Sequence, residues 1–446
     1  MRNTTKAFVV GALAGGCILA TATRAHAANP ACNSFGHTVY IAGSSASQPI
    51  LQALAYQLKQ AGSSISIIYE NPSSCQGLTD LLTTGMTETT GASYLDPSTN
   101  PATLTACDAT NGGASAGSYV DIGVSDVFPQ TCVDYSNIPA LTSSQKDFWG
   151  PVQAMVMAVQ AGQTMYPSIS AEAAYVVFGW AGQTNTIAPW TDPQNMFIRS
   201  PTSGTESMIS KAIGLPPTKW LAQSPFDGGT AQHESGSGAV VTALKGSTNM
   251  MGAIGILSTE FVDQNRSTLH ALAFQAKDPN GGDQECGYLP DSSSTTFDKL
   301  NVRQGRYAIW GPLHFVANVD GSGKPQPNGM SGDAAADVQT VIQYLNFDAS
   351  LTAAQTLQMI QASAKAYTVP PCAMEVSRTD DGGGVASQMP ASGMCGCYYE
   401  ALAAGGNNPA ALGMPTSSYC QACTADADCA DAGIYKKCNY GFCEVQ

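Results

Sequence analysis

The stretch TVYIAGSSAS, residues 38–47, decides the fold of this chain, because a short apolar strand runs directly into a loop of glycine and serine. β-Branched and aromatic residues dominate its first half, which is typical of a strand. After the loop, apolar residues recur at the spacing of one helix face: Ile50, Leu51, Leu54 and Leu58. The stretch therefore predicts a strand–loop–helix unit.

The same unit recurs further along the chain. Residues 64–69 form the next predicted strand, and residues 78–82 carry a helical pattern behind a pair of serines. Residues 120–124 predict another short strand. Repeated units of this kind favour an α/β fold with a mainly parallel sheet. Residues 86–118 are rich in small polar residues without a clear period, and we expect an irregular insertion there.

Two apolar stretches, residues 152–159 and 307–316, are candidates for strands that cross between two lobes. The chain would then build lobe one, continue through lobe two and return to lobe one. The alternative is that both are ordinary core strands of one large domain. The glycine-containing stretch at residues 252–256 lacks the spacing of a phosphate loop and is interpreted as a buried strand.

Residues 1–27 are typical of an export signal, with basic residues at the start, an apolar middle and an Ala-His-Ala ending. A membrane anchor is the alternative, and lipid attachment at Cys17 is a further one. We therefore expect an exported protein in the periplasm or at the cell surface. The formal charge is −14, and removal of a signal with three cations and no acid brings it to −17. Nucleic acid and anionic membranes are poor partners for such a chain.

Thirteen of the 14 cysteines lie outside the predicted signal, and in an exported chain they favour disulfides. Seven of them fall within residues 395–446, behind a glycine-rich joint at residues 380–394. The pairing cannot be read from the spacing, and a four-cysteine zinc site remains an alternative for the tail. The odd number leaves one thiol free or bound to another molecule.

Four segments place small hydroxyl residues or glycine in a turn ahead of a predicted helix: Gly43–Ala46, Ser73–Gly77, Gly123–Asp126 and Arg199–Thr205. Free N–H groups at helix starts, with the helix dipole behind them, bind anions. Glycine and serine let an anion approach closely, and hydroxyls add donors. Each turn taken alone could equally be an ordinary helix cap.

The order of these segments resembles that of the phosphate-binding protein of bacterial ABC phosphate transporters, a type II periplasmic-binding family. The resemblance covers about residues 37–378. Six segments carry it: IAGSSASQP, YENPSSCQG, DIGVSD, residues 168–180, RSPTSGTES and MGAIGIL. It implies a two-lobed α/β type II periplasmic-binding fold with two crossover strands, to which this chain adds a small disulfide-rich C-terminal module.

The implied domain boundaries are a signal at 1–27, lobe one at 28–152, lobe two at 153–311, the return to lobe one at 312–385 and the tail at 386–446. The resemblance also implies the phosphate-binding residues: Ser45, Ala46, Ser74, Asp126, Arg199, Ser203, Gly204 and Thr205. The chain departs from the family at Cys75, where serine is common, and at Gln76, where glycine is common.

The chemistry of this set is coherent. The Asp126 carboxylate would accept the proton that phosphate still carries near neutral pH, whereas sulfate has no proton to donate. Arg199 offers planar, paired donors that match a tetrahedral oxyanion. The alternative for these two residues is a structural ion pair with each other.

We therefore expect a monomeric solute-binding protein, without cofactor or metal, that captures inorganic phosphate for an ABC transporter membrane component or for sensing. Sulfate, molybdate or arsenate is the alternative ligand. A surface interaction protein with a vestigial pocket and a phosphate-ester hydrolase are the rivals from other classes. The H-E-x-x-H motif of metal-dependent hydrolases is absent from the sequence. His233-Glu234 is interpreted as part of a solvated loop, with a functional site as the alternative.

Overall fold

The computed structural model describes residues 29–84, 91–110, 118–181, 187–221, 233–278, 282–328, 333–389 and 393–445. The predicted export signal and Cys17 lie outside these residues. Within the described ranges, no helix combines the length and the apolar character that crossing a membrane requires.

The strands, in chain order, are β1 Thr38–Gly43, β2 Ser66–Glu70, β3 Ser93–Asp96, β4 Thr103–Ala106, β5 Ile122–Ser125, β6 Gln145–Gln160, β7 Ser168–Ser170, β8 Met196–Phe197, β9 Ile254–Ser258, β10 Leu269–Ala271, β11 Ala273–Gln275, β12 Lys277–Asp278, β13 Gly282–Asp283, β14 Trp310–Val319, β15 Pro325–Gln326, β16 Val376–Ser377, β17 Ala386–Ser387, β18 Lys437–Asn439 and β19 Phe442–Glu444.

The α-helices, in chain order, are α1 Gln48–Gln60, α2 Ser74–Thr79, α3 Pro129–Ser136, α4 Ala171–Trp180, α5 Gly204–Ile213, α6 Ser237–Gly246, α7 Thr259–Asp263, α8 Leu300–Arg303, α9 Asp333–Leu345, α10 Ala353–Lys365 and α11 Gly396–Ala404.

One sheet of eleven strands forms the centre of the fold, in the order β4-β3-β2-β1-β5-β14-β6-β9-β8, with β10 and β15 paired to β6 and β14. β1 runs parallel to β2 and β5, as the strand–loop–helix units predict. The expectation of a mainly parallel sheet is wrong for the whole sheet, because seven of the ten strand pairings described in it are antiparallel. The apolar face of α1 packs on this half of the sheet, and its four predicted core residues are buried.

The long strands β6 and β14 lie side by side and antiparallel in the middle of this order. On one side, β14 pairs with β5, and β1 is the next strand in the sheet; both belong to lobe one. On the other side, β6 pairs with β9, which in turn pairs with β8; both belong to lobe two. The two predicted crossover strands therefore exist, and the two-lobed α/β prediction is confirmed. The numerical domain boundaries stay a prediction.

The expectation of an irregular insertion at residues 86–118 is wrong for two segments. β3 and β4 pair with each other in antiparallel fashion, and β3 pairs with β2 at the edge of the sheet. All four residues of β4 are exposed, so burial of an apolar face does not drive this strand, although its sequence TLTA alternates polar and apolar residues. Hydrogen bonds to an existing sheet edge, together with the disulfide between Cys32 and Cys107, hold this region in place.

Six disulfides join the described cysteines: Cys32–Cys107, Cys75–Cys132, Cys372–Cys395, Cys397–Cys420, Cys423–Cys438 and Cys429–Cys443. The disulfide prediction is confirmed. Cys420 and Cys423 are each consumed in a disulfide, so they cannot act as zinc thiolates. Cys286 is the free, exposed thiol among the cysteines that the structure describes.

The cysteine-rich tail is anchored to the body at its first helix. Cys395, just before α11, forms a disulfide with Cys372 of the body. Within α11, Glu400 accepts a hydrogen bond from the buried Arg303 guanidinium at 2.7 Å. The tail therefore carries disulfides of its own but shares part of its packing with the α/β body.

Candidate functional site

The first loop of the site begins where β1 ends at Gly43. This residue has a φ of +147°, and a Cβ there would collide with the carbonyl oxygen of Val124 on β5. Glycine is therefore required for β1 to pass so close to β5. The chain then turns through Ser45–Ser47, a short 3₁₀ helix, into α1, and Ser44 precedes that turn with its N–H bound to the Val124 carbonyl at 2.9 Å.

Asp126 lies directly after β5 and is 2% exposed. Its carboxylate accepts a hydrogen bond from the Ser44 hydroxyl, and its N–H donates to Ser74 Oγ at 3.3 Å. Burial raises the pKa of Asp126 to about 6, while the Ser44 hydrogen bond and the charge of Arg199 oppose that rise. The carboxyl is therefore ionised at neutral pH inside a desolvated site.

Arg199 enters from the other lobe, just beyond β8, and is 2% exposed. Its Nη1 donates to Ser45 Oγ at 3.1 Å and approaches Ser237 Oγ at 3.4 Å. Its Nε donates to the carbonyl oxygen of Glu234 at 3.1 Å. Burial lowers the pKa of Arg199, and the negative charges of Asp126 and Glu206 oppose this effect.

The alternative of an ion pair between Asp126 and Arg199 does not describe this structure. Both residues are described, and none of the ion pairs found among the described residues joins them. Each charge still influences the pKa of the other. The two buried charges therefore face the same region from opposite lobes without neutralising each other by direct contact.

The loop ahead of α5 closes on lobe one. Cys75 N donates to the carbonyl oxygen of Thr202 at 3.0 Å, so the second loop of lobe one touches this loop directly. A Cβ on Gly204 would lie against Ser74 Oγ and only 2.8 Å from Asp126 Cβ. Glycine at this position lets the start of α5 approach Asp126.

Ser203 and Thr205 are buried beside Gly204. The Thr205 hydroxyl has no hydrogen-bond partner, and an unpaired buried hydroxyl is costly unless something else binds it. The backbone N–H of Ala46, which the resemblance assigns to the anion, donates here to Ser44 Oγ at 3.0 Å. Ala46 thus shapes the loop in this structure by holding the Ser44 side chain.

The structure therefore gathers residues from all four predicted turns around one place. Ser45 contacts Arg199, Ser74 contacts Asp126, and Gly204 lies against both Ser74 and Asp126. Cys75, which departs from the family pattern, forms a disulfide with Cys132 and so ties α2 to α3 behind Ser74.

Sequence reasoning missed three contributors. Ser44 binds Asp126, and Ser237 binds Ser45 through its N–H at 3.2 Å. Glu234 binds Arg199 through its carbonyl group, so the interpretation of this loop as merely solvated is wrong for its backbone. A signal was present, because Ser235-Gly236-Ser237-Gly238 also places small residues at the start of a helix, α6.

A cleft of about 500 Å³ opens beside these residues. Its lining includes Ser45 and Ser237 of the site, together with Glu70, Asn71 and Phe261. Ser45 of lobe one and Ser237 of lobe two thus both border the cleft, while Asp126 and Arg199 are buried beside it.

The strand order, the crossover strands and the cleft define a two-lobed α/β protein with the type II periplasmic-binding fold. No family model matches the sequence, and no curated protein matches it. Among solved structures, the chain is similar to a substrate-binding protein assigned to a phosphate ABC transporter of Clostridium perfringens, with phosphate bound. That match has 14% identity and a TM-score of 0.43, and covers 75% of this chain and 99% of the other.

Two other solved structures illustrate the range of similarity. An ABC-type phosphate transport receptor from Vibrio cholerae has 13% identity and a TM-score of 0.41, over 75% of this chain and 100% of the receptor. The reduced OxyR regulatory domain from Pseudomonas aeruginosa has 8% identity and a TM-score of 0.34, over 69% of this chain and 98% of that domain.

Proposed function

We propose that this chain is an exported solute-binding protein that captures inorganic phosphate between its two lobes. One observation carries the proposal: the buried Asp126 carboxylate and the buried Arg199 guanidinium converge from different lobes without forming an ion pair. Two unpaired buried charges of opposite sign are costly unless a ligand satisfies both.

A partly protonated oxyanion is the ligand that meets both groups. Its negatively charged oxygens accept from Arg199 and from the serine hydroxyls, and its own proton is donated to Asp126. Asp126 remains ionised at neutral pH because its pKa lies at about 6. Sulfate carries no proton there, so its oxygen and the Asp126 carboxylate would face each other as two acceptors.

Capture follows from closure of the two lobes about β6 and β14. The interlobe contacts at Thr202, Gly204 and Arg199 form when the lobes approach, and they surround the anion from both sides. The closed form would present phosphate to the membrane component of an ABC transporter or serve in sensing. The protein acts as a monomer that binds its ligand without converting it.

Isothermal titration calorimetry of the wild-type protein at pH 7.5 tests this function. Phosphate should bind at least about 100-fold more tightly than sulfate, because sulfate leaves a buried carboxylate unpaired. Arsenate should bind like phosphate, since it also carries a proton at this pH, and molybdate should bind like sulfate.

Each alternative has its own outcome in the same set of measurements. Tighter binding of sulfate or molybdate than of phosphate would favour the other-oxyanion alternative. Absence of binding by every oxyanion, with recovery of a protein partner through the tail, would favour a vestigial pocket. Turnover of a phosphate ester that is lost in Asp126→Asn would favour a hydrolase.

A further inference from the structure

The glycine-rich turn around Asp381, which the sequence presents as a joint before the tail, packs against the back of the candidate site. Asp381 is 5% exposed, whereas its neighbour Asp380 is exposed. The Asp381 Oδ2 accepts hydrogen bonds from Phe128 N at 2.9 Å and from Thr131 Oγ1 at 2.7 Å. These contacts span 253 and 250 residues of sequence, so they are tertiary and not local turn bonds.

The position of these donors links Asp381 to Asp126. Phe128 is the residue ahead of α3, and its own side chain does not cap that helix. The Asp381 carboxylate binds the N–H of this residue and the hydroxyl of Thr131 in the first turn of α3, so it fixes the start of the helix two residues beyond Asp126 in the chain. A Cβ added to Gly311 on β14 would lie 3.4 Å from Asp381 Oδ1 and 3.7 Å from the Asp126 carbonyl oxygen. Both acidic residues therefore approach the crossover strand at the same residue.

The same turn also contacts lobe two. Gly382 has a φ of +74°, and a Cβ added to it would lie 3.4 Å from Lys211 Cβ on α5. Lys211 in turn binds Asp134 of α3 at 3.3 Å. The turn thus lies where α3 of lobe one meets α5 of lobe two, the helix whose first residue is Gly204.

We propose that Asp381 is a positioning residue of the anion site, which fixes the main chain that carries Asp126 and places a second negative charge behind it. This role rests on the proposed function as far as phosphate is concerned, but the contacts themselves do not. Asp381 is not among the residues that line the cleft, and its hydrogen bonds go to Phe128 and Thr131, so it acts through the main chain next to Asp126.

The second part of this role is the effect of the Asp381 charge on Asp126, and it depends on the charged groups around both carboxyls. Asp126 is faced by Arg199 from lobe two, by the Tyr69 phenol from β2 and by Asp381 from behind. Burial raises the pKa of Asp381, while the Thr131 hydrogen bond and the nearby His314 and Arg378 oppose that rise. Burial is the main cause of the raised pKa of Asp126, and Asp381 raises it further.

Three variants separate the position of Asp381 from its charge. Asp381→Asn keeps an oxygen that can accept from Phe128 N but removes the charge. Asp381→Ala removes both. Asp380→Asn removes a charge from the exposed residue next to it and is the matched control.

The first measurement needs no ligand: titration of the Asp126 carboxyl carbon by NMR, with its signal assigned by its loss in Asp126→Asn. The pKa of Asp126 should fall in Asp381→Asn and stay unchanged in Asp380→Asn. The second is phosphate calorimetry between pH 5 and 8. The loss of binding on acidification should move to lower pH in Asp381→Asn, and Asp381→Ala should bind about tenfold more weakly at every pH.

An unchanged Asp126 titration in Asp381→Asn, together with wild-type phosphate binding by Asp381→Ala, would overturn the positioning role. A wild-type protein that binds no phosphate would instead overturn the proposed function. In that case the ligand-free titration still decides the role of Asp381.

Discussion

The guanidinium of Arg199 donates a hydrogen bond to the hydroxyl of Ser45 at 3.1 Å, although the two residues lie 154 positions apart in the chain. Arg199 follows β8 in lobe two, and Ser45 lies ahead of α1 in lobe one. The bond therefore crosses the cleft and joins two of the turns that the sequence singled out. It also holds the buried Arg199 guanidinium beside Ser45, one of the residues that line the cleft.

Arg199→Lys tests the planar donor set. A lysine ammonium cannot donate to Ser45, to the Glu234 carbonyl and to an anion in one fixed plane. We expect phosphate affinity to fall at least about 100-fold by calorimetry, because charge-assisted hydrogen bonds are lost in a buried site. Arg306→Lys, at an exposed arginine, is the control and should bind normally. Normal binding by Arg199→Lys would exclude Arg199 from the ligand set.

Asp126→Asn tests the selection against sulfate. The amide can donate to a sulfate oxygen where the carboxylate can only accept, so the penalty against sulfate disappears. We expect sulfate affinity to rise and the preference for phosphate to shrink by about tenfold or more in competitive calorimetry. If the variant keeps the full preference for phosphate, then selection comes from another part of the site.

The ligand-free protein should lose stability as the pH rises from about 4 to about 6, in part because of Asp126. Its folded pKa is about 6 and its ordinary value 3.8, so the folded state holds the proton in this window while the unfolded state releases it. The free energy of unfolding therefore decreases with pH there and levels off above the folded pKa. The full effect corresponds to about 3 kcal/mol.

The comparison with Asp126→Asn isolates this contribution, because Asp121 and Asp291 also have pKa values raised to about 6 by burial. In urea titrations without phosphate or sulfate, the advantage of the variant over wild type should grow between pH 4 and pH 6. A constant difference across that window would show that Asp126 titrates normally in the folded protein.

Gly204→Ala tests the close approach of α5 to lobe one. The added Cβ would meet Ser74 Oγ and Asp126 Cβ, so it should keep the lobes from closing fully. We expect phosphate affinity to fall about tenfold or more by calorimetry, with the unfolding temperature nearly unchanged. Gly238→Ala is the matched control, because it also lies in the first turn of a helix but its Cβ position has nothing within 4 Å. Equal affinities of the two variants would contradict this account.

Arg303→Met tests how the tail is held. The Arg303–Glu400 ion pair joins the body to α11, and both side chains are buried. Loss of one partner therefore leaves the other charge buried without an ion-pair partner. We expect a loss of about 3–5 kcal/mol in the free energy of unfolding, partly recovered in Arg303→Met/Glu400→Gln. The exposed pair Lys437–Asp426 is the control, and Lys437→Gln should change stability little. A similar small effect at Arg303 would mean that the disulfide at Cys395 anchors the tail by itself.

The sequence predicted those parts of the fold that follow from local pattern. β1, α1 and the crossover strands have apolar runs or helical spacing that require burial, and the structure places them as expected. The strand β4 was missed because all its residues are exposed, and only a neighbouring strand edge makes it a strand. The glycine-rich turn at Asp381 was interpreted as a joint for the same reason, since its partners lie about 250 residues away.

The site shows the same division. By itself, the sequence determined the types of residue that could bind an anion, because small hydroxyl turns ahead of helices have free N–H donors wherever they fold. It also determined the disulfide chemistry through the number of cysteines. Only the tertiary structure decided that Arg199 meets Ser45, that Ser44 and Ser237 join them, and that Asp381 lies behind Asp126. Those contacts depend on how the two lobes pack across β6 and β14, and packing between distant segments leaves no local pattern in the chain.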